Sequence, residues 1–337
     1  MNGSSVNGEP PHAGGPGDPV RAMGQRLSVL KSGLAALFGR SYWHQTPRPG
    51  RYFDPVRPAG YFRDYSAKAD WSGEVDAHGI ILCRDRSGRP VTFPTAVIQK
   101  GLGHWERWIA SERSDPRELD ACLACARWLV SAQDKRGGWP VWNLIPRRSV
   151  SPYSGLTQGQ AISLLVRGHV ASGEEGFRNS ALEAFPLMVT LGADGGVSTR
   201  VPEGLIVEEL PRVPVNPTLN GLVSGYFGLH DLALLAENSS IAEASDACLA
   251  ALISWLPRYD AGFWSYYRTD GTLASPYYHK VHLVQLAALQ RVDAHAPEIG
   301  EMSRRFAAQN RSLTCRTRAI YVKAAQKLRS PRPVGIR

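Results

Sequence analysis

The chain has 337 residues, 43% of them apolar, with 33 glycines, 24 prolines and a formal net charge of +9. That is room for one large domain or two smaller ones, with too much apolar content for a wholly disordered chain. Residues 303–337 hold ten Lys and Arg and no acid, so residues 1–302 sum to −1, and a nucleic-acid-binding body is not expected.

Residues 1–19 are rich in Gly, Pro, Ser and Asn and are expected to be disordered. Residues 20–40 are compatible with an amphipathic helix carrying Arg21, Arg26, Lys31 and Arg40. Lys31 and Ser32 interrupt its apolar run, which argues against a secretory signal and leaves packing or membrane-surface contact open. From 46 to 101, short aromatic and β-branched runs alternate with Pro-Gly and Ser-Gly turns, the texture of β-hairpins. Beyond 101, apolar residues recur at three- and four-residue spacing, predicting helices near 102–112, 116–133, 156–171, 175–190, 217–236, 239–256, 278–292, 297–308 and 312–328.

Cys83, Cys122, Cys125, Cys248 and Cys315 form an odd, scattered set, so a reducing, cytoplasmic setting fits better than a disulfide framework. "CLAC" (122–125) has metal-type spacing but no second pair, and it lies in an amphipathic run, where two buried structural thiols are the simpler reading. No stretch of 18 apolar residues exists, so no membrane-spanning helix is expected.

A weak repeat runs between the helices. "DKRGGWPVW", "GADGGVSTR" and "YDAGFWSYY" each follow a helix, join an acidic residue to glycine, and lead into strand-like residues. Gly137 and Gly195 are 58 residues apart, and Gly195 and Gly262 are 67 apart; two helices and a hairpin fit each interval. The expectation is a mainly α protein: an incomplete α/α toroid of helical hairpins in a ring, preceded by a short N-terminal β-hairpin region. The divisions would be 1–45, 46–101, 102–312 for the toroid, and 313–337 for a basic helix and tail.

In a toroid the connecting loops line a cleft, so their residues are the site candidates. "SPYSGLTQGQ" supplies Tyr153, Ser154 and Gln158; "EELPRVPVNPTLNG" supplies Glu208, Glu209 and Asn220. "YDAGFWSYYR" supplies Tyr267 and Arg268, and "LASPYYHKVHLVQL" supplies Tyr277, Tyr278, His279 and His282. Rings stack on pyranose faces, while amides and acids satisfy sugar hydroxyls. The histidine pair has no carboxylate or third histidine close in sequence, so no metal site is expected.

These segments, with "TAVIQKGLGHWERW" (95–108) and "GGWPVW" (137–142) in the same order, resemble the C-terminal domain of the D-glucuronyl C5-epimerases, the heparan sulfate and heparosan modifying enzymes. The resemblance covers roughly residues 50–300. It implies C5 epimerisation of D-glucuronate to L-iduronate within a heparosan-like polysaccharide, with no cofactor. It places Tyr278 and Tyr267 on catalytic positions and Glu209 on the acidic one. Tyr153, Asn220 and His279 fall among substrate contacts, and Tyr65 of "YFRDYSAK" on a hairpin that reaches the cleft. Three departures stand out. Only about ten residues separate the segments that flank the long calcium-binding insertion of animal members, so the chain is similar to the short bacterial form. The family's acidic motif has tyrosine where this chain has Leu210, and an arginine of the family is here Asp270.

The implied chemistry removes the proton α to the carboxylate and returns one to the opposite ring face, which calls for two proton-handling groups and enolate stabilisation. A tyrosine base needs a phenol brought down from about 10 by cationic or strongly donating neighbours; His279, His282, Lys280 and Arg268 are near in sequence. With a leucine at 210, Glu209 becomes the second base, its carboxyl expected to be raised by burial. A polysaccharide lyase and a non-catalytic glycan-binding protein that has lost a catalytic tyrosine remain alternatives. The expected partner is a glucuronate-containing polysaccharide. Homodimerisation and membrane contact through the N-terminal helix or basic tail stay open.

Overall fold

The computed structural model describes residues 44–85, 87–145 and 148–329; the segment 20–40 and the tail from 330 lie outside the described residues. Its helices are α1 (Pro94–Ala110), α2 (Pro116–Ala132), α3 (Gly155–Ser172), α4 (Glu175–Val189), α5 (Leu219–Leu235), α6 (Ser239–Trp255), α7 (Pro276–Val292), α8 (Pro297–Arg311) and α9 (Leu313–Arg329). Proline opens α1, α2, α7 and α8, where its missing N–H costs nothing. Asp115, Ser154, Thr218, Asn238 and Ser275 cap α2, α3, α5, α6 and α7 by accepting a first-turn N–H. The described chain is thus mainly helical.

Helix α1 begins eight residues before the predicted start. Thr95, Val97 and Ile98 read as strand by propensity, but in the helix Val97 and Ile98 are fully buried, and tertiary packing decides over propensity. The hairpin region is sparsely paired. Strands β1 (Cys83–Arg84) and β2 (Pro90–Val91) form a two-stranded antiparallel sheet, and isolated bridges such as Pro49 to Arg63 tie the rest. A second antiparallel hairpin, β3 (Ser198–Val201) with β4 (Gly204–Val207), lies between α4 and α5 and buries Leu205, Ile206 and Val207.

Successive helices pair as α1 with α2, α3 with α4, α5 with α6 and α7 with α8, and α1, α3, α5 and α7 also pack one against the next. Helices α3 and α5 are buried on nearly every side over Gly155–Gly168 and Leu219–Leu229, so they form the middle of the core. Their backbones meet at glycines: a Cβ on Gly159 would lie 2.4 Å from the Ser224 carbonyl oxygen, and one on Gly228 would lie 2.3 Å from Gly159 Cα. Gly137, Gly195 and Gly262 of the weak repeat share one left-handed conformation, with φ of 79°, 78° and 79°, which glycine adopts without penalty.

A buried ion pair fastens the hairpin region to this core. Arg167 Nη1 on α3 donates to Asp231 on α5 at 2.6 Å, and the same guanidinium reaches the carbonyls of Ala59 and Gly60, each at 3.0 Å. A buried charge is tolerable only with such full pairing. Phe62 stacks on Phe227 of α5 at 4.2 Å. The thiols of "CLAC" are buried in α2 and free, as two structural cysteines would be.

Candidate functional site

Glu209 follows β4 and lies against the first turn of α5. A Cβ on Gly221 would come within 2.4 Å of Glu209 Cβ, so glycine there lets the carboxylate approach the helix. Thr218, the cap of α5, donates its hydroxyl to Glu209 Oε2 at 2.5 Å. The phenol of Tyr267 donates to the same oxygen at 3.2 Å. Tyr267 is brought there by the 259–273 loop, whose carbonyl at Tyr267 accepts from Leu219 N and whose Arg268 bridges to Thr218. Tyr278 arrives from the first turn of α7, its N–H held by the cap Ser275. Its ring lies 4.5 Å from that of Tyr267 and 5.1 Å from that of Tyr277. The segment at Glu209 and the region that carries Tyr267 and Tyr278, 58 residues and more further on, therefore join two phenols to one carboxylate.

Arg63, from the hairpin region, completes the cluster. Its Nη2 donates to the Tyr277 hydroxyl at 2.6 Å, and its guanidinium carbon lies 4.8 Å from the Tyr65 ring centre. Gln160 of α3 donates to the Tyr65 hydroxyl at 2.9 Å. Burial works against the charge on Arg63, but the facing phenols of Tyr65, Tyr277 and Tyr278 hold its pKa above the ordinary value, so it stays cationic. Lys68 is buried beside it, and burial together with the Arg63 charge brings its ammonium down to about 7.

The phenols behave differently from the sequence expectation. Burial, then the Glu209 charge and the Tyr277 phenol, push Tyr278 above the usual phenol range; the Tyr267 hydrogen bond and the Arg63 charge only partly offset this. Tyr267 is raised too, by burial and then by Glu209 and Tyr278. Both phenols are protonated at neutral pH in the free protein. Beside Glu209, burial pushes the carboxyl of Glu208 up to about 7: Glu208 is enclosed, accepting from Thr199 Oγ1 at 2.9 Å and from Asn216 N at 3.3 Å.

The remaining predicted site residues are dispersed. His279 and His282 are fully buried. Ser265 Oγ is shared between their Nδ1 atoms at 2.8 and 2.9 Å, His279 Nε2 meets the Phe306 carbonyl at 3.1 Å, and the His279 ring stacks on Trp264 at 3.7 Å. Burial brings His279 down to about 4 and His282 well below its ordinary value, so both are neutral interior groups and supply no cation to Tyr278. Lys280 is exposed. Arg268 pairs with Asp270 at 3.0 Å. Tyr153 donates to Asp134 at 2.5 Å and Gln158 accepts the Trp139 N–H at 2.9 Å, so both brace the 134–139 turn, while Ser154 caps α3. Asn220 is buried in the first turn of α5, and its carbonyl accepts from Gln285 at 3.0 Å. Tyr65 joins the cluster through Arg63. No group of three or more His, Cys, Asp or Glu suited to a metal ion occurs among the described residues.

Sequence reading missed Arg63, Lys68 and Thr218. Arg63 stands two residues before Tyr65 in "YFRDY", and in an extended segment residues i and i+2 share a face, a signal that was available.

Residues 133–308, which contain Glu209, Tyr267 and Tyr278, match the family described as the D-glucuronyl C5-epimerase C-terminus, and the chain belongs to that family. A D-glucuronyl C5-epimerase of Caenorhabditis elegans is 33% identical over 191 residues, covering 49% of this chain and 31% of the worm protein. An uncharacterized protein of Methanocaldococcus jannaschii is 27% identical over 232 residues, covering 61% of this chain and 73% of that protein. The chain thus spans about a third of the curated epimerase that it matches.

Proposed function

We propose that this protein is a uronate C5-epimerase that converts D-glucuronate to L-iduronate residues within a heparosan-like polysaccharide. The observation that carries the reading is the hydrogen-bonded series Glu209, Tyr267, Tyr278 beside the buried Arg63 cation. Helical hairpins packed in succession, read as an incomplete α/α toroid, would present these loops at one end.

In this reading Glu209 removes the C5 proton from one ring face. Electron density moves into the substrate carboxylate, and the Arg63 guanidinium stabilises the resulting enolate. Tyr278, protonated in the free enzyme, delivers its proton to C5 from the other face. That leaves Glu209 protonated and Tyr278 as a phenolate. Tyr267 links the two, and passing a proton from Glu209 through Tyr267 to Tyr278, in exchange with water between turnovers, restores the starting state. Tyr278 therefore acts first as an acid, and its raised phenol pKa keeps the proton in place until the enolate forms; a phenol pulled toward neutrality is not required. Leu210 serves as packing.

One observation favours a second reading. Leu210 and Asp270 replace two polar residues of the family pattern, and Arg268 is occupied by Asp270, as a glycan-binding protein without chemistry would tolerate. Proton NMR of heparosan-type and other glucuronan polymers after incubation distinguishes the readings. Epimerisation gives iduronate signals. A lyase gives ultraviolet absorbance from an unsaturated product, and a binder gives neither.

A further inference from the structure

Helix α9 carries an apolar stripe on its outer side. At about 100° per residue, Leu313, Thr317, Ile320, Tyr321, Ala324 and Leu328 fall on one face, and all six are exposed. Leu313 is 75% exposed, Tyr321 73% and Leu328 84%. The other exposed large apolar residues of the described chain are single valines and one leucine, spread over separate segments. The opposite face of α9 is the one that packs: Ala319, Cys315 and Val322 meet Trp264, Leu273 and Ala274, and Gln326 donates to the Gly271 carbonyl and accepts from Leu273 N, each at 3.0 Å. The helix is therefore anchored with its apolar stripe outward, against the usual direction.

Charge decides what covers the stripe. Arg316 and Lys327 flank one edge and Arg329 lies beyond the other, all exposed, and no acidic residue occurs from 303 to 337. A second copy paired stripe to stripe would set these cations against each other. The 20–40 segment carries four cations and no acid, so it has the same sign. A polyanionic glycan would satisfy the charges and leave the leucines in water. An anionic bilayer satisfies both: basic side chains meet headgroups while the apolar face enters the acyl boundary.

We propose that α9 is an interfacial helix that docks this protein on an anionic lipid surface. The inference is independent of the C5-epimerase reading. It places the membrane next to the loop that carries Tyr267, because the 271–273 backbone is held by α9. The test is co-sedimentation of the full chain with equimolar phosphatidylglycerol–phosphatidylcholine vesicles and with pure phosphatidylcholine vesicles. Binding to the anionic vesicles alone is expected. It should fall by roughly tenfold or more in the double variant Arg316→Glu/Lys327→Glu, since each cation near such a surface contributes on the order of 1 kcal/mol. Leu313→Ser/Leu328→Ser should weaken it comparably, with circular dichroism and thermal unfolding unchanged in both because the sites are exposed. Three results overturn the proposal. One is binding that resists the leucine changes while the charge reversal abolishes it. Another is binding lost only on deleting residues 1–43. The third is a dimer in sedimentation velocity that dissociates with Leu328→Ser.

Discussion

Tyr278 and His279 are adjacent in sequence and occupy opposite environments. Helix α7 turns about 100° per residue, so His279 and His282 face inward to Ser265, Trp264 and the Phe306 carbonyl. Tyr278 instead faces Tyr267 and, through it, Glu209. The loop 259–273 feeds both sides: Ser265 points to the histidines and Tyr267, two residues on, to the carboxylate. One cluster is neutral and closed; the other joins an anion, a cation and phenols. Density of ionisable residues in a sequence therefore does not identify chemistry. The face each side chain takes decides it.

The largest expected effects fall on the phenol cluster. Tyr278→Phe keeps the ring and removes the exchangeable proton, so C5 epimerisation should drop by roughly 10²–10⁴, with the unfolding midpoint in urea little changed. Full activity in this variant would move the role to another phenol. Glu209→Gln should cause a loss of the same order, because the amide cannot take the C5 proton, while Thr218 can still donate to its carbonyl oxygen. A steady-state assay by NMR integration of iduronate reads both variants.

The histidine cluster predicts the reverse pattern. His279→Gln loses the Trp264 stack and at least one buried hydrogen bond, so stability should fall by about 1–3 kcal/mol, with turnover per folded molecule kept. It also carries a pH signature. In the fold His279 protonates only near 4, against 6.5 when free. Above pH 6.5 its stabilising effect is fully present. Below that the unfolded chain takes up a proton the folded one refuses, so stability falls as pH drops toward 4, by up to about 3 kcal/mol at roughly 1.4 kcal/mol per unit. Glu208 works in the other direction. Its carboxyl is raised to about 7, so its effect is present at low pH and lost as pH rises through 7. Urea unfolding of wild type and His279→Gln between pH 7 and 4.5 isolates the histidine by difference; parallel curves would contradict its neutral burial.

Much of the helical scaffold was legible because apolar spacing, proline starts and Ser, Thr, Asp or Asn caps all point the same way from 116 onward. The start of α1 was not, since Thr95, Val97 and Ile98 favour a strand until packing against the core is counted. At the site, short motifs select Glu209, Tyr267 and Tyr278, which the fold brings together. What sequence could not supply is the sign of the electrostatics. Proximity along the chain offers His279, His282 and Lys280 as cations for Tyr278, whereas the cation that faces it is Arg63, 215 positions away. The burial that separates Glu208 from Glu209 is likewise set by β4 and α5, which no local pattern encodes.

The smallest effect is expected at Leu210. Leu210→Tyr restores the family's residue beside Glu209 and should change the rate by no more than a few-fold, as fits a position that only packs; a rise from no measurable activity would instead mark the natural protein as a glycan binder.

The most direct measurement is incorporation of solvent deuterium at C5 of the iduronate formed from a heparosan-type polymer, compared among wild type, Tyr278→Phe and His279→Gln at equal concentrations of folded protein. Exchange is expected in wild type, with retention in His279→Gln and loss of at least about a hundredfold in Tyr278→Phe. Exchange that survives Tyr278→Phe and disappears in His279→Gln would contradict the role assigned to Tyr278.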